Sequence, residues 1–400
     1  MREAFDALVI GGGPAGSAAA LLLARAGWSV LLLEKRAFPR RKVCGEYVSA
    51  TSLPLLDHLG VGDAFRAAAG PAVRRVGVFS RTTVTSAVPR LPGFAGGGQA
   101  LGRERLDTLL IDRAAAEGVE VRQPWSVVGL RRERDGYRCR ARPPAAGAEA
   151  EFRAPVVVAA HGSWEPGALP TQPPRRRPRP SDLLGFKAHF RDSDLPAGLM
   201  PLLAFPGGYG GMVHCDGGRV SISCCVRRDL LGRVRAGGAE AGEAVLGHVR
   251  EWCPGVRRAL AGAAREGEWL AAGPIRPGVR PRGDLGVFPV GNAAGEAHPA
   301  VAEGISMALQ SAWLLARRLT DWRRQGGAHA DLRAVGDDYA ADWRRSFGPR
   351  VAASTLIAHW AMRPRAVACT VPLLRHFPAL LTWCANLTGK TTRVVALATG

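Results

Sequence analysis

Phe5-Asp6-Ala7-Leu8-Val9-Ile10 leads directly into Gly11-Gly12-Gly13-Pro14-Ala15-Gly16, and no other stretch restricts the fold of this chain as much. Leu8-Val9-Ile10 is apolar on both faces, as a buried parallel strand must be. Gly11 suits a tight turn, Gly13 lets backbone approach a pyrophosphate, and Gly16 lets the following helix pack close to the strand. That helix, expected from about Pro14 to Ala26, is rich in alanine and leucine, and its first amides face the phosphates. Gly27 ends it, Ser29 to Leu33 reads as a second strand, and Glu34 closes that strand eighteen residues after Gly16, with Lys35 beside it. An acid at that distance accepts the hydroxyls of an adenosine ribose.

A second glycine motif stands almost 300 residues downstream. Val287-Phe288-Pro289-Val290 runs into Gly291-Asn292-Ala293-Ala294-Gly295, followed by Pro299 and Gly304-Ile305. A flavin dinucleotide needs such a loop from the far end of the chain to hold its ribityl and ring. The pair of motifs therefore points to FAD.

Composition sets outer bounds. Four hundred residues allow about two to three domains, and a hydrophobic share of 47% builds a full core. The net charge of +20 rests almost wholly on scattered arginines. Its densest run, Pro173-Pro174-Arg175-Arg176-Arg177-Pro178-Arg179-Pro180, reads as an exposed interdomain loop. No nucleic-acid motif or aromatic interleaving accompanies the charge, which favours an anionic cofactor, substrate or membrane surface instead. Eight cysteines without a CxxC pair suggest a reduced, cytoplasmic setting. Ala4 to Leu33 is broken by glycines and by Arg25, against a membrane span. Histidines 58, 189, 248, 329, 359 and 376 lack metal-ligand spacing, and no metal is expected.

The expected fold class is α/β: a Rossmann-like FAD-binding domain interleaved with an antiparallel-sheet substrate domain, plus a helical C-terminal region. Residues 1–70, 99–170 and 273–330 are assigned to FAD binding, 71–98 and 181–272 to the substrate sheet, and 331–400 to the helical region. Within the sheet, strands are expected over 183–191, 199–205, 210–215 and 219–227. Helices are expected over 237–252, 256–266 and 304–319, with Pro364, Pro372 and Pro378 as later helix boundaries.

The glycine motifs, Cys44-Gly45-Glu46, Arg103-Glu104-Arg105-Leu106-Asp107, Pro299 and Glu303-Gly304-Ile305 occur in an order that resembles flavoproteins of the para-hydroxybenzoate hydroxylase fold. Within that fold the likeness is to the geranylgeranyl reductase family, near the flavin-dependent halogenases and flavin monooxygenases. It covers about residues 4 to 320. The resemblance implies that Arg103 contacts the cofactor from the start of its helix and that Pro299 sits beside the flavin ring. It also implies that the Gly304 helix aims its positive end at the flavin pyrimidine edge. The family usually has Asp where Asn292 stands. Where flavin hydroxylases carry Asp-Gly, this chain reads Ala160-His161-Gly162-Ser163-Trp164, a loss that argues against ordinary NAD(P)H handling, so a separate reductase stands beside NAD(P)H as the expected electron donor. The halogenase Trp-x-Trp-x-Ile-Pro motif is absent. Of the reductase family's Tyr-x-Trp-x-Phe-Pro segment only Tyr209 remains, with Gly211, Val213 and His214 at the other places.

Five residues are catalytic candidates. Cys44 stands where the reductase family has a cysteine near the flavin, and it reads equally as a small buried loop residue. Glu46 is a proton donor or an ion-pair partner of Arg41 or Lys42. His298 adjoins Pro299, and Tyr209 and His214 are expected to face the substrate cavity. The segment Val371 to Trp383 reads as a helix packed on the nucleotide domain, or as an amphipathic cover for a membrane or substrate tunnel.

The leading expectation is a monooxygenase-type FAD-dependent oxidoreductase acting on a hydrophobic small molecule, polyketide-like or aromatic, in secondary metabolism. One alternative is an alkene reductase acting on an isoprenoid chain. Another is a flavin electron-transfer protein, which would show an accessible flavin edge and no deep apolar pocket.

Overall fold

The structure, a computed structural model, describes residues 3–87, 97–144, 148–163, 167, 169, 171–172, 174, 176–235, 238–280, 285–377 and 380. Five short strands form a parallel sheet in the order Val287–Pro289, Val156–Ala159, Ala7–Ile10, Val30–Leu33 and Glu120–Arg122. The middle three are buried along their whole length, which accounts for their unbroken runs of valine, leucine and alanine. Successive side chains serve two layers. Ala7, Val9, Val30 and Leu32 meet the helices Pro14–Arg25, Arg103–Ala116 and Gly304–Arg324. Leu8, Ile10, Leu31 and Leu33 meet Tyr137, Cys139 and Phe152 of a three-stranded antiparallel sheet.

A seven-stranded sheet forms the other half of the molecule. Its order is Ala264–Ile275, Leu183–Arg191, Val220–Arg227, Gly208–His214, Leu199–Phe205, Arg75–Phe79 and Thr83–Ala87. All neighbours are antiparallel except Leu199–Phe205 and Arg75–Phe79. Phe186, Ala188, Ile222 and Cys224 pack on the outer helices Ala241–Trp252 and Pro254–Ala259. Leu183, Tyr209 and Cys225 point the opposite way, toward the C-terminal helices Leu332–Ala361 and Pro364–His376. The architecture is thus the expected α/β one, with an antiparallel-sheet unit and a helical C-terminal region.

Two local expectations fail, and one helix was not foreseen. The helix expected over 256–266 stops at Ala259, and Ala264–Ile275 is instead a twelve-residue strand. Its alanines favour helix, but the Leu183–Arg191 strand has a free edge there, and pairing along it decides the outcome. Trp269 secures that strand by meeting Phe190 edge to face and donating to Glu243 at 2.7 Å. A short helix, Arg228–Val234, was not anticipated. Pro372 does not bound a helix: it lies within Pro364–His376, where the buried Val367 and Val371 anchor the inner face despite the missing donor. Pro364 does start that helix. Trp164, Pro173, Arg175, Pro378 and most of the tail beyond Phe377 lie outside the described residues. Among the described residues, no helix is long and apolar enough to cross a membrane.

Candidate active site

A cavity of about 1440 Å³ begins at the glycine turn after the first strand and runs beneath the seven-stranded sheet. A single drug-sized ligand typically fills roughly 300–1,000 Å³, so this space accommodates a dinucleotide and a second molecule. Gly11, Gly13, Pro14 and Ala15 line one end, together with Glu34, Lys35 and Arg103.

The glycines are required by contact distances. Gly11 has φ +107°, and a Cβ there would lie 2.6 Å from the Ala160 carbonyl oxygen. A Cβ at Gly16 would lie 1.8 Å from the Gly11 carbonyl oxygen, so only glycine lets the helix approach this closely. Gly291 joins the two motifs: a Cβ there would come within 2.9 Å of Ala15. Asn292, Pro299, Gly304 and Ile305 continue the lining, and the Gly304–Arg324 helix begins at the cavity wall. Gly16, Ala293 and Gly295 stand behind the lining; Gly295 leaves room for Trp343, which its Cβ would meet at 2.2 Å.

The polar groups of this end suit an anionic ribose-pyrophosphate. Glu34 is buried and accepts from the Gly12 amide at 2.7 Å and the Arg36 amide at 2.9 Å. Arg103 is held bidentate by Asp107, with both bonds at 2.7 Å. Burial, reinforced by Arg103 and Arg40, pushes the Lys42 ammonium down to about 8. Among the described residues, the buried Nε atoms of Arg40 and Arg41 have no hydrogen-bond partner. Half-buried cationic groups with spare donors beside a glycine turn are the chemistry a pyrophosphate needs. Asn292 donates to Glu296 at 3.0 Å.

Cys44 lines the cavity and its sulfur accepts from the Glu46 amide at 3.3 Å. Glu46 is fully buried, in the left-handed region at φ +62°, and its partners differ from Arg41 and Lys42. Lys187 pairs with Oε1, His189 with Oε2 at 2.8 Å, and the Arg103 amide donates to Oε1 at 3.1 Å. Burial would raise the Glu46 pKa, but Lys187 and His189 outweigh it and hold the carboxyl at about 2. Glu46 is therefore an ionised anchor and holds no proton to donate near neutrality. Glu46, His189 and Cys215 lie close enough together to share a cation, but the Lys187 ammonium already neutralises the carboxylate.

Tyr209 lines the cavity, fully buried, with its hydroxyl 2.9 Å from His298 Nδ1. Burial pushes its phenol well above the ordinary value. His298 sits just behind the lining. His214 does not face the cavity. It lies an odd number of residues from Tyr209 along the strand, so it projects from the other face, where Nε2 meets the Leu195 carbonyl at 2.6 Å. His161 Nε2 lies 2.7 Å from Thr171 Oγ1.

Burial lowers both His161 and His298 from 6.5 to about 4, with Arg280 and His359 adding repulsion respectively. The unfolded chain then binds more protons than the folded one between those values, so stability falls as pH drops from about 6.5 toward 4. Denaturation midpoints at pH 7 and pH 5 should differ less in the His161→Gln, His298→Gln double variant. An unchanged difference would place the acid sensitivity elsewhere.

Sheet order and cradle define a dinucleotide-binding fold. Residues 4–173 match the family model described as FAD binding domain, so the dinucleotide is FAD. Over 165 residues, 40% of this chain and 39% of the relative, the sequence is 35% identical to digeranylgeranylglycerophospholipid reductase of Methanosarcina acetivorans. The chain spans only 11–15% of the length of the curated relatives that match first. The fold matches the flavin-dependent brominase Bmp2 at TM-score 0.75 and 20% identity, covering 97% of this chain and 94% of that one. It matches PqsL of Pseudomonas aeruginosa, solved in complex with 2-aminobenzoylacetate, at TM-score 0.70 and 16% identity, covering 92% and 100%.

Proposed function

We propose that this chain is an FAD-dependent oxidoreductase that inserts oxygen into an apolar small molecule, polyketide-like or aromatic. The carrying observation is the continuity of the FAD cradle with an apolar chamber walled by Val78, Met200, Leu202, Val213, Ala300 and Trp360. Such a chamber excludes water and positions a greasy substrate beside the ring. Bound FAD supplies electron transfer and the activation of oxygen. The Gly304–Arg324 helix starts at the cavity wall, and the positive end of its dipole favours negative charge there. The Tyr209 hydroxyl, protonated and paired with a neutral His298, holds a proton at the chamber wall. Electrons come from NAD(P)H or a separate reductase.

A second reading, reduction of an alkene in an isoprenoid chain, is favoured by Cys44 at the cavity wall. A bare electron-transfer role, which needs no deep apolar pocket, is disfavoured by the chamber itself.

Oxygen uptake by the FAD-loaded protein with an electron donor should rise when an apolar substrate is added; indifference to every such compound would defeat the proposal. Tyr209→Phe should keep its FAD but turn over about 10-fold slower or worse. Equal turnover would remove the phenol from the proton route. Gly211→Leu tests the chamber itself. A Cβ there meets only the Pro201 carbonyl oxygen, at 3.5 Å, so the fold tolerates it. KM for bulky substrates should rise about 10-fold while small ones are unaffected.

A further inference from the structure

Among the described residues, four large apolar side chains are exposed, and three of them lie on the C-terminal helices or, for Phe377, directly after the last of them. Leu356 is 73% exposed, Leu373 50% and Phe377 58%. Leu356 and Leu373 also line the cavity, beside Trp360 and Leu374. Leu356 and Leu373 are therefore the outer lip of the chamber, and Phe377 adjoins them four residues beyond Leu373. On the helix Pro364–His376, Val367 and Val371 are buried against the body, while Leu373 and, one turn later, Phe377 face outward.

The chain segment that builds this lip carries charge of one sign. From Trp343 to Leu380 the chain carries no aspartate or glutamate, and the whole chain has a net charge of +20. Arg363 and Arg365 stand exposed at the turn between the two helices. Outward apolar side chains flanked by cations, where no described helix is long and apolar enough to span a bilayer, fit a helix lying in an anionic lipid interface. An apolar substrate dissolved in the bilayer would then reach the chamber without crossing water.

We infer that the lip formed by Leu356, Leu373 and Phe377 docks on an anionic membrane surface, with Arg363 and Arg365 against the lipid headgroups. This goes beyond the proposed reaction and does not depend on it. The test is flotation of the full-length, FAD-loaded protein with vesicles of phosphatidylcholine alone or mixed with phosphatidylglycerol. Binding is expected only to the anionic vesicles, weakening as salt is raised. L373E/F377E should bind at least about 10-fold more weakly, and R363E/R365E should lose the preference for phosphatidylglycerol, both with FAD content and melting temperature unchanged. Should L373E/F377E fail to fold, L356E, at the most exposed of the three positions, serves instead. Absence of vesicle binding, or binding undiminished in the folded lip variants, overturns the inference. So does capture of an acidic carrier protein by the lip while vesicles are ignored.

Discussion

Lys187→Met is expected to cost about 3–5 kcal/mol of folding stability at neutral pH, the penalty of leaving one member of a buried ion pair alone. Lys187, His189 and Glu46 are all fully buried, and Lys187 is the cation directly on the Glu46 carboxylate. Without it, burial acts on Glu46 against His189 and the Arg103 amide alone, and its pKa rises. The direction of the pH effect follows. In the parent protein the depressed Glu46 contributes stability above about pH 4.5 and loses it only as pH falls toward about 2. In the variant that contribution is gone or reversed near neutrality, so chemical denaturation at pH 7 should show the whole loss. Adding Glu46→Gln should recover part of it, because the double variant no longer buries a lone charge. If Lys187→Met unfolds at the parental denaturant concentration, the pair is not the anchor described here.

Gly16→Ala should yield protein that purifies without FAD, with affinity for added FAD reduced about 100-fold or more, equivalent to roughly 3 kcal/mol. The new methyl would sit 1.8 Å from the Gly11 carbonyl oxygen and 3.0 Å from the Ala160 Cβ. Backbone on one side and a strand on the other leave no flexible group to yield, so the helix must back away and take its amides from the pyrophosphate. Gly13→Ala is the informative contrast. Its Cβ would meet only the end of the Arg103 side chain, at 3.7 Å. That variant should keep its melting temperature and lose FAD affinity through intrusion into the cradle alone. Retention of FAD by Gly16→Ala at parental affinity would refute the close-packing argument.

Legibility in the sequence followed the range of each interaction. The first strand, glycine turn and helix read correctly because their signals are local: Gly16 answers to Gly11 within the turn, and Gly11 to Ala160 at the end of the adjoining strand. The distant Gly291 loop was legible through its own glycine spacing, and Gly291 does meet Ala15. The Ala264–Ile275 strand was not, because its conformation is decided by an edge eighty residues away in sequence. Glu46 was singled out, but its partners were not. Lys187 and His189 lie more than 140 residues away, on one face of a strand whose position only the folded sheet reveals. One signal was available: Lys187 is one of four lysines in an arginine-rich chain, two residues from a histidine in an apolar strand. His214 was misplaced by strand phase, where one residue reverses the face.

The most direct test of the central proposal is the fate of molecular oxygen. The FAD-loaded protein would be supplied with an electron donor, ¹⁸O₂ and a panel of apolar aromatic and polyketide-like compounds, and the products weighed by mass spectrometry. The account predicts one ¹⁸O atom in the product. A product that lacks the label, or one that has gained two hydrogens instead, would contradict it.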